Sequence, residues 1–339
     1  IGEPVHGCPK IGRQVLDVRE GLGPYLRCRG LVGEATHGIA KIVHARSCTS
    51  CALAGDLQFR PMRLVSAEGA LLEEILDATY PVWQEGLSRD GYGRWNAAQR
   101  RTAWGREHLE RYALLDDRGE WVASAKRYWW PVRLHGQDAT MCGIGAVFTR
   151  PEWRGRGHAS ALIERMLDDA RRQGALMAGL FSEIGEPFYE RLGFRLAPMD
   201  EVTVTVNLKG GAPAMLVRAG EERDLPALVG IHETRASGVP FSFRRDTSLM
   251  QYALARKRLI AGLGTPGARH VEFFVVEEAT VAVAYAVVQV TAGGWTLEEA
   301  GDRDPQGARL GALLQVLLAR EPSLTVPRIR AWWPPAFPV

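Results

Sequence analysis

The sequence contains no apolar run long enough to cross a membrane. Its longest uncharged, strongly apolar stretch, residues 281–290, is about half of the roughly 20 residues that span a bilayer. The first residues, from Ile1, contain neither a basic leader nor an apolar signal core. We therefore expect no membrane partner and a cytoplasmic location. An initiating methionine is also missing, which indicates a fragment or a processed chain.

The sequence also has little excess of either charge. Its 339 residues carry 42 basic and 39 acidic side chains, a net charge of +3. This is too little positive charge to predict a nucleic-acid partner, so any phosphate must be bound by a local group of charges. The hydrophobic share of 46% and the charged share of 24% are typical of globular proteins. The length favours two domains over one.

Cysteine is nearly absent after residue 51. Four of the five cysteines lie before that point, namely Cys8, Cys28, Cys48 and Cys51. Without a secretion signal, such a group favours a metal site or free thiols over a disulfide framework.

The spacing of Cys48 and Cys51 is typical of a metal knuckle, and Cys8 and Cys28 would complete a four-thiolate zinc site. Cys8 and Cys28 each lack the second cysteine of a knuckle, because an apolar residue stands at that position. Two interpretations therefore stay open: a degenerate zinc ribbon, or reduced thiols in a loosely structured extension.

Changes in composition and periodicity along the sequence predict three segments. Residues 1–58 form a small module that contains cysteine and histidine, and residues 59–208 and 214–339 form two domains joined by a Gly- and Pro-containing linker. The two domains show a similar order of predicted strands and helices. We expect an α/β (α+β) fold in which each domain has a mixed central sheet flanked by helices.

Several elements of the first domain follow from periodicity. Apolar residues recur at helical spacing over 159–170, which predicts an amphipathic helix. Residues 111–115 and 121–134 flank a turn and predict a hairpin. The aromatic stretch 80–104 is predicted as a loop, and residues 201–208 as the strand that closes the first sheet.

The passage from the strand ending at Thr149 into the helix has the chemistry of a phosphate loop. Gly155 and Gly157 allow tight turns and a close approach of backbone N–H groups to a ligand, and the first turn of a helix attracts anions. Three arginines add local positive charge, namely Arg150, Arg154 and Arg156. The passage fits neither the dinucleotide fingerprint nor a P-loop.

The pattern Arg154-x-x-Gly157-x-Ala159 resembles the phosphate loop of the GNAT N-acetyltransferase superfamily. The residues from Tyr189 to Phe194 resemble that superfamily's second signature, Tyr-x-x-x-Gly-Phe. The resemblance covers residues 62–208, and residues 215–339 only by the order of their elements. The phrases around Thr149 and Glu183 are also similar, more weakly, to fungal lysine N-acetyltransferases.

The resemblance implies that the chain binds acetyl-CoA and transfers its acetyl group directly to an amine. Strand residues would contact the pantetheine arm, and the loop and first helical turn would hold the pyrophosphate. The implied cofactor residues are Val147, Phe148, Thr149, Arg154, Gly155, Arg156, Gly157, His158, Ala159 and Ser160. The alternative for His158 is that its side chain is simply exposed to solvent.

Transfer needs an acid for the departing thiolate and a neutral amine. Tyr189 matches the tyrosine that commonly supplies the proton in this superfamily, and packing in the core is its alternative role. Glu183 follows an apolar strand and is the candidate base, with a solvated or capping carboxylate as the alternative.

The acceptor is expected to be a small primary amine, such as an amino acid, a polyamine or an aminoglycoside-like molecule. Aromatic residues between Tyr80 and Trp104, with Glu85 and Asp90, are candidates for a pocket that suits a cation, although they would also serve as ordinary packing. The second domain lacks the loop and carries Asp302 nearby, so we expect it to bind no coenzyme. A noncatalytic acyl-CoA sensor and a peptide or protein N-acetyltransferase are the alternatives, and a homo-oligomer is compatible with the sequence.

Overall fold

The computed structural model describes residues 40–44, 62–182, 186–196, 202–205, 214–320 and 328–331. The fold is α/β (α+β), with two mixed sheets flanked by helices, as predicted. The strands of the larger sheet and the strand that joins its edge are β1 (Ala40–His44), β2 (Arg63–Ser66), β3 (Leu109–Leu115), β4 (Trp121–Leu134), β5 (Gln137–Thr149), β6 (Met177–Phe181), β7 (Phe194–Leu196) and β10 (Phe241–Phe243). Those of the second sheet are β8 (Val202–Thr205), β9 (Val217–Ala219), β11 (Arg269–Glu278), β12 (Val281–Thr291), β13 (Gly294–Asp302) and β14 (Arg328–Ala331).

Eight α-helices accompany the sheets in the described part of the chain. They are α1 (Gly69–Trp83), α2 (Arg89–Arg101), α3 (Ala103–His108), α4 (His158–Arg172), α5 (Glu186–Arg191), α6 (Leu225–Ala236), α7 (Thr247–Leu263) and α8 (Leu310–Arg320). None of these described helices is long and apolar enough to span a membrane.

The larger sheet has the strand order β2-β3-β4-β5-β6-β1-β7, and β10 pairs with the far end of β4. All neighbours are antiparallel except β5 and β6, which are parallel and joined through α4. The predicted hairpin is confirmed as β3 and β4. Its turn is fixed by Asp116, whose Oδ1 accepts hydrogen bonds from the N–H groups of Arg118 and Glu120, both at 2.9 Å.

The predicted amphipathic helix is confirmed as α4. The periodic residues Leu162, Ile163, Met166 and Ala170 are all buried against the larger sheet. A single helical face therefore covers β4 and β5 on this side.

The aromatic stretch predicted as a loop is helical, and this prediction was wrong. Ser88 caps α2 by accepting a hydrogen bond from the N–H of Gly91, and Thr102 caps α3 by accepting one from Gly105, at 3.0 and 2.9 Å. The many arginines of α2 hide its periodicity, since only a narrow stripe containing Tyr92 is buried.

The second sheet has the order β8-β14-β13-β12-β11-β9, in which only β13 and β14 are parallel. Three antiparallel strands, then a helix, then a strand parallel to the third occur in both sheets, as β3-β4-β5-α4-β6 and β11-β12-β13-α8-β14. The two sheets therefore share this order of elements.

Two strands depart from the expected domain pattern. The segment expected to close the first sheet is β8, which pairs instead with β14 in the second sheet. From within the expected N-terminal module, β1 inserts between β6 and β7 of the larger sheet. Both departures depend on long-range backbone pairing, which local alternation does not reveal.

The two halves of the chain share a buried contact. Trp104 of α3 is 1% exposed and packs on Tyr252 of α7, with ring centroids 4.5 Å apart. Trp95 donates its indole N–H to the carbonyl of Arg256 at 3.1 Å. The helices of the first half that flank the sheet are thus held by a helix of the second half.

A bulge in β5 shifts the register of its pairing with β4. Ser124 lies opposite Phe148 but Lys126 lies opposite Gly145, so β5 contains one extra residue at this point. Ala146, within the bulge, has a φ of 49°, the left-handed region that costs a residue with a Cβ about 1–2 kcal/mol.

Replacing Ala146 with glycine should relieve this strain. We expect A146G to raise the free energy of unfolding by about 0.5–1 kcal/mol, measured by urea denaturation. Ala139 lies in the same strand outside the bulge, and A139G should lower the free energy of unfolding by about 0.5–1 kcal/mol. Equal losses in both variants would show that Ala146 is not strained.

Candidate functional site

One edge of β5 is open beyond the bulge. The parallel register of β5 and β6 ends where Ile144 lies opposite Leu180. Among the described residues of this segment, Gly145, Phe148 and Thr149 have partners in β4, and none of residues 145–149 has a partner in β6. Their backbone N–H and C=O groups on that side can therefore pair with an extended ligand.

Val147 and Thr149 on this open segment are half-buried, whereas Phe148 is 6% exposed. The Phe148 ring packs against Trp121 and Trp83, at centroid distances of 6.3 and 6.2 Å. Its side chain is therefore part of the core, and only its backbone is placed to serve a ligand at the open edge.

The glycine loop leads directly into α4. Gly155 and Gly157 have φ values of 74° and 80°, and Gly157 is the N-cap of the helix, with no side chain capping it. A Cβ added at either glycine would meet no atom within 4 Å, so the space beside the loop is open. The first-turn N–H groups, which include those of Ala159 and Ser160, carry the partial positive charge that binds phosphates.

The three arginines of the loop differ in their contacts. Arg150 is committed to an ion pair with Glu152 at 2.5 Å. Arg154 donates to the carbonyl of Thr149 at 3.2 Å, and the Arg156 guanidinium lies 5.1 Å from the ring centre of Trp153. Among the described residues, Arg154 and Arg156 have no ion pair with a carboxylate, so their charges are available to a phosphate.

His158 is buried, with 7% of its surface exposed, so the alternative of an exposed side chain was wrong. It packs edge-on against Trp153 at 5.4 Å, and neither ring nitrogen has a hydrogen-bond partner in the described structure. Burial, with a smaller contribution from Arg156, lowers the pKa of His158. The imidazole is therefore neutral at neutral pH.

Tyr189 of α5 is 3% exposed and packs edge-on against Phe188 and Phe194, at 4.9 and 5.7 Å. Burial raises the pKa of its phenol, and a hydrogen bond with the side chain of Ser182 opposes this in part. The hydroxyl therefore remains protonated at neutral pH. Ser182 directly follows β6, the strand that diverges from β5.

The comparisons with known families agree with this geometry. Residues 71–197 match the family described as "Acetyltransferase (GNAT) domain". The chain contains a GNAT acetyltransferase domain. The matched range includes the open segment of β5, the glycine loop and Tyr189. No curated protein sequence matches the chain.

Solved structures of low sequence identity share the fold. A probable N-acyltransferase from Enterococcus faecalis V583 is 16% identical with a TM-score of 0.59, and a GCN5-related N-acetyltransferase from Kribbella flavida is 17% identical with a TM-score of 0.56. Each comparison covers 80% of this chain, and the chain spans 64% of the length of each of those proteins. N-myristoyltransferase of Saccharomyces cerevisiae with bound myristoyl-CoA is 11% identical, with a TM-score of 0.52 and coverage of 88% and 82%.

The residues expected to form an aromatic acceptor pocket do not form one. Tyr92, Trp95 and Trp104 are buried between the GNAT domain and α7. Glu85 is paired with Arg269 at 3.6 Å, and Asp90 lies on the surface of α2. The alternative of ordinary packing is therefore correct for these three rings.

A pocket of about 310 Å³ lies instead between α1, α2, β3 and β4 of the GNAT domain. Its walls include Leu72, Leu76 and Leu109, and its floor includes Arg111 and Lys126. Sequence reasoning missed these two cations. Counting back from the turn at Asp116 would place Arg111 opposite Ala125, and only the register shift between Leu114 and Leu115 brings Lys126 opposite Arg111.

The second sheet contains an acidic counterpart of the glycine loop. Asp302 is fully buried where β13 ends, and its carboxylate accepts hydrogen bonds from the N–H groups of Asp304 and Arg309, at 2.9 and 2.7 Å. It also accepts one from the Arg309 guanidinium at 2.9 Å. A side-chain anion therefore occupies the region before α8 that phosphate would need.

Glu183 and the four cysteines Cys8, Cys28, Cys48 and Cys51 lie outside the described residues, so their predicted roles remain predictions. Within the described ranges no group of three or more His, Cys, Asp or Glu side chains is placed to hold a metal ion.

The buried His158 should make the protein sensitive to acid. Its pKa is lower in the folded than in the unfolded state, so the unfolded state binds the proton more readily and stability is lost as the pH falls through and below about 6.5. We expect H158F to be less acid-sensitive in urea denaturation at about pH 7.5 and about pH 5.5. The free energy of unfolding of H158F, relative to that of the wild type, should be higher at the lower pH than at the higher pH. The same relative value at both pH values would contradict this.

Proposed function

We propose that this chain is an acetyl-CoA-dependent N-acetyltransferase that transfers the acetyl group directly to the primary amine of a small molecule. The observation that carries the proposal is the open edge of β5 beyond Ile144, next to the uncapped N-terminus of α4. An extended pantetheine arm pairs with the open backbone, and the glycine loop holds the pyrophosphate. This places the thioester near the bulge at Ala146.

The chemistry consists of one bond exchange. The neutral amine attacks the thioester carbonyl carbon, a C–N bond forms, and the C–S bond breaks. Tyr189 gives its phenolic proton to the departing thiolate, and burial supports this role by keeping the phenol protonated. Glu183 remains our candidate for the group that takes the proton from the amine.

We propose that the second sheet belongs to a degenerate copy of the GNAT fold that binds no coenzyme. Asp302 supports this, because its carboxylate would repel a phosphate and already satisfies the N–H of Arg309. The contact between Trp104 and Tyr252 supports a role for this copy in shaping the acceptor side of the GNAT domain.

Y189F should lose turnover while keeping acetyl-CoA affinity. Removing a general acid lowers kcat by about 10²–10⁴-fold, measured as CoA release with a panel of amines. Y285F removes the hydroxyl of another buried tyrosine, in the second sheet, and should leave kcat unchanged. Unchanged kcat in Y189F would exclude the acid role. If the wild type binds acetyl-CoA but turns over no amine, the alternative of a noncatalytic acyl-CoA sensor is favoured.

G157V should weaken acetyl-CoA binding by about tenfold or more, because a side chain would enter the open space beside the loop and strain a left-handed residue. G174V is a matched control, since Gly174 has a φ of 94° at the other end of α4 and equally open surroundings. Calorimetric titration with acetyl-CoA should therefore separate the two variants. Equal loss of affinity in both would show that the glycine loop is not the coenzyme site.

A further inference from the structure

Two cations lie directly opposite each other on the floor of the GNAT-domain pocket. Arg111 of β3 pairs in register with Lys126 of β4, so both side chains leave the same face of the sheet. They are 3% and 8% exposed. Like charges on directly opposite residues repel, and burial adds a large desolvation cost.

Neither cation has a carboxylate partner among the residues that the structure describes. Arg111 interacts with Tyr92, but its terminal nitrogens Nη1 and Nη2 are buried without a hydrogen-bond partner in the described structure. Lys126 lies over the ring of Trp95 at 5.4 Å and has no ion pair among the described residues. Burial, with smaller contributions from Arg111 and Arg256, lowers the pKa of Lys126.

The two carboxylates that line the pocket are committed elsewhere. Glu73 pairs with Arg89 at 2.9 Å, and Glu110 pairs with the buried Arg127 at 2.6 Å. The positive charge of the floor is therefore left for a ligand. Unpaired buried cations destabilise a fold, and such a cost is often retained at functional sites.

The position of the cations relates them to the open edge of β5. The row across the sheet runs from Arg111 through Lys126 to Gly145, the residue before the bulge at Ala146. An anion bound at the floor of the pocket would therefore lie over β4. This is the strand next to the segment of β5 that we assign to the thioester. The leucines of the pocket wall suit an aliphatic chain between the two points.

We propose that this pocket binds the carboxylate of the acetyl acceptor, so that the acceptor is a free amino acid whose carboxylate contacts Arg111 and Lys126. This rests on the proposed N-acetyltransferase function and names its substrate class. A volume of about 310 Å³ is at the low end of small-molecule sites, which fits a molecule of amino-acid size.

Paired substrates that differ only in a carboxylate test the proposal. With the full chain and acetyl-CoA, kcat/KM for L-lysine should exceed that for cadaverine by about tenfold or more, and the same should hold for L-ornithine over putrescine. R111M and K126M should reduce these ratios to about one. R101M, at an exposed position of α2, should preserve the ratios. Equal rates for lysine and cadaverine in wild type would overturn the proposal while leaving acetyl transfer intact.

A binding experiment separates this proposal from the proposed function. At constant ionic strength, glutarate should raise the Tm of wild type saturably and should have no such effect on K126M. Without ligand, K126M should melt above wild type, because it removes a buried polar group that has no ion-pair partner among the described residues. A glutarate effect without turnover of any amine would retain the carboxylate site and reject the enzyme. A larger effect of inorganic phosphate, or no effect of either anion, would overturn the carboxylate site.

Discussion

The end of the pairing between β5 and β6 is the constraint on which the candidate coenzyme site depends. Up to Ile144 the two parallel strands satisfy each other's backbone groups, and beyond it a bulge with a left-handed Ala146 sends β5 away from β6. Buried backbone groups need partners, so the open segment is suited to a ligand that is itself extended and amide-containing. The glycine loop follows the same strand, so our proposed site for the pyrophosphate adjoins our proposed site for the pantetheine arm.

The second sheet has a similar order of elements but a different start to its helix. A register shift in β13 follows Leu297, where its described pairing with β14 ends, much as the bulge in β5 follows Ile144. Asp302 then satisfies the N–H groups before α8 that phosphate would satisfy before α4. One half of the chain thus leaves the start of its helix open to an external anion, and the other supplies an internal one.

Much of the GNAT domain was predictable from local pattern. The α4 helix and the β3–β4 hairpin follow from periodicity and turn chemistry, and the glycine loop follows from Gly155 and Gly157 before an apolar helix. The α2 helix was missed because its buried stripe is narrow and its surface is rich in arginine. The burial of His158 was missed because it depends on Trp153, which lies in a different turn.

The sequence by itself determined the β3–β4 hairpin, the α4 helix, the loop that suits pyrophosphate and the identity of the tyrosine in the second motif. These features depend on neighbours along the chain. Only the tertiary structure decided that the aromatic rings are buried against α7 and that β8 joins the second sheet. It also decided that Arg111 and Lys126 form the floor of a pocket, with no carboxylate partner in the described part of the chain. The physical reason is that desolvation and repulsion between two cations depend on what surrounds them in space, and those neighbours come from distant parts of the chain.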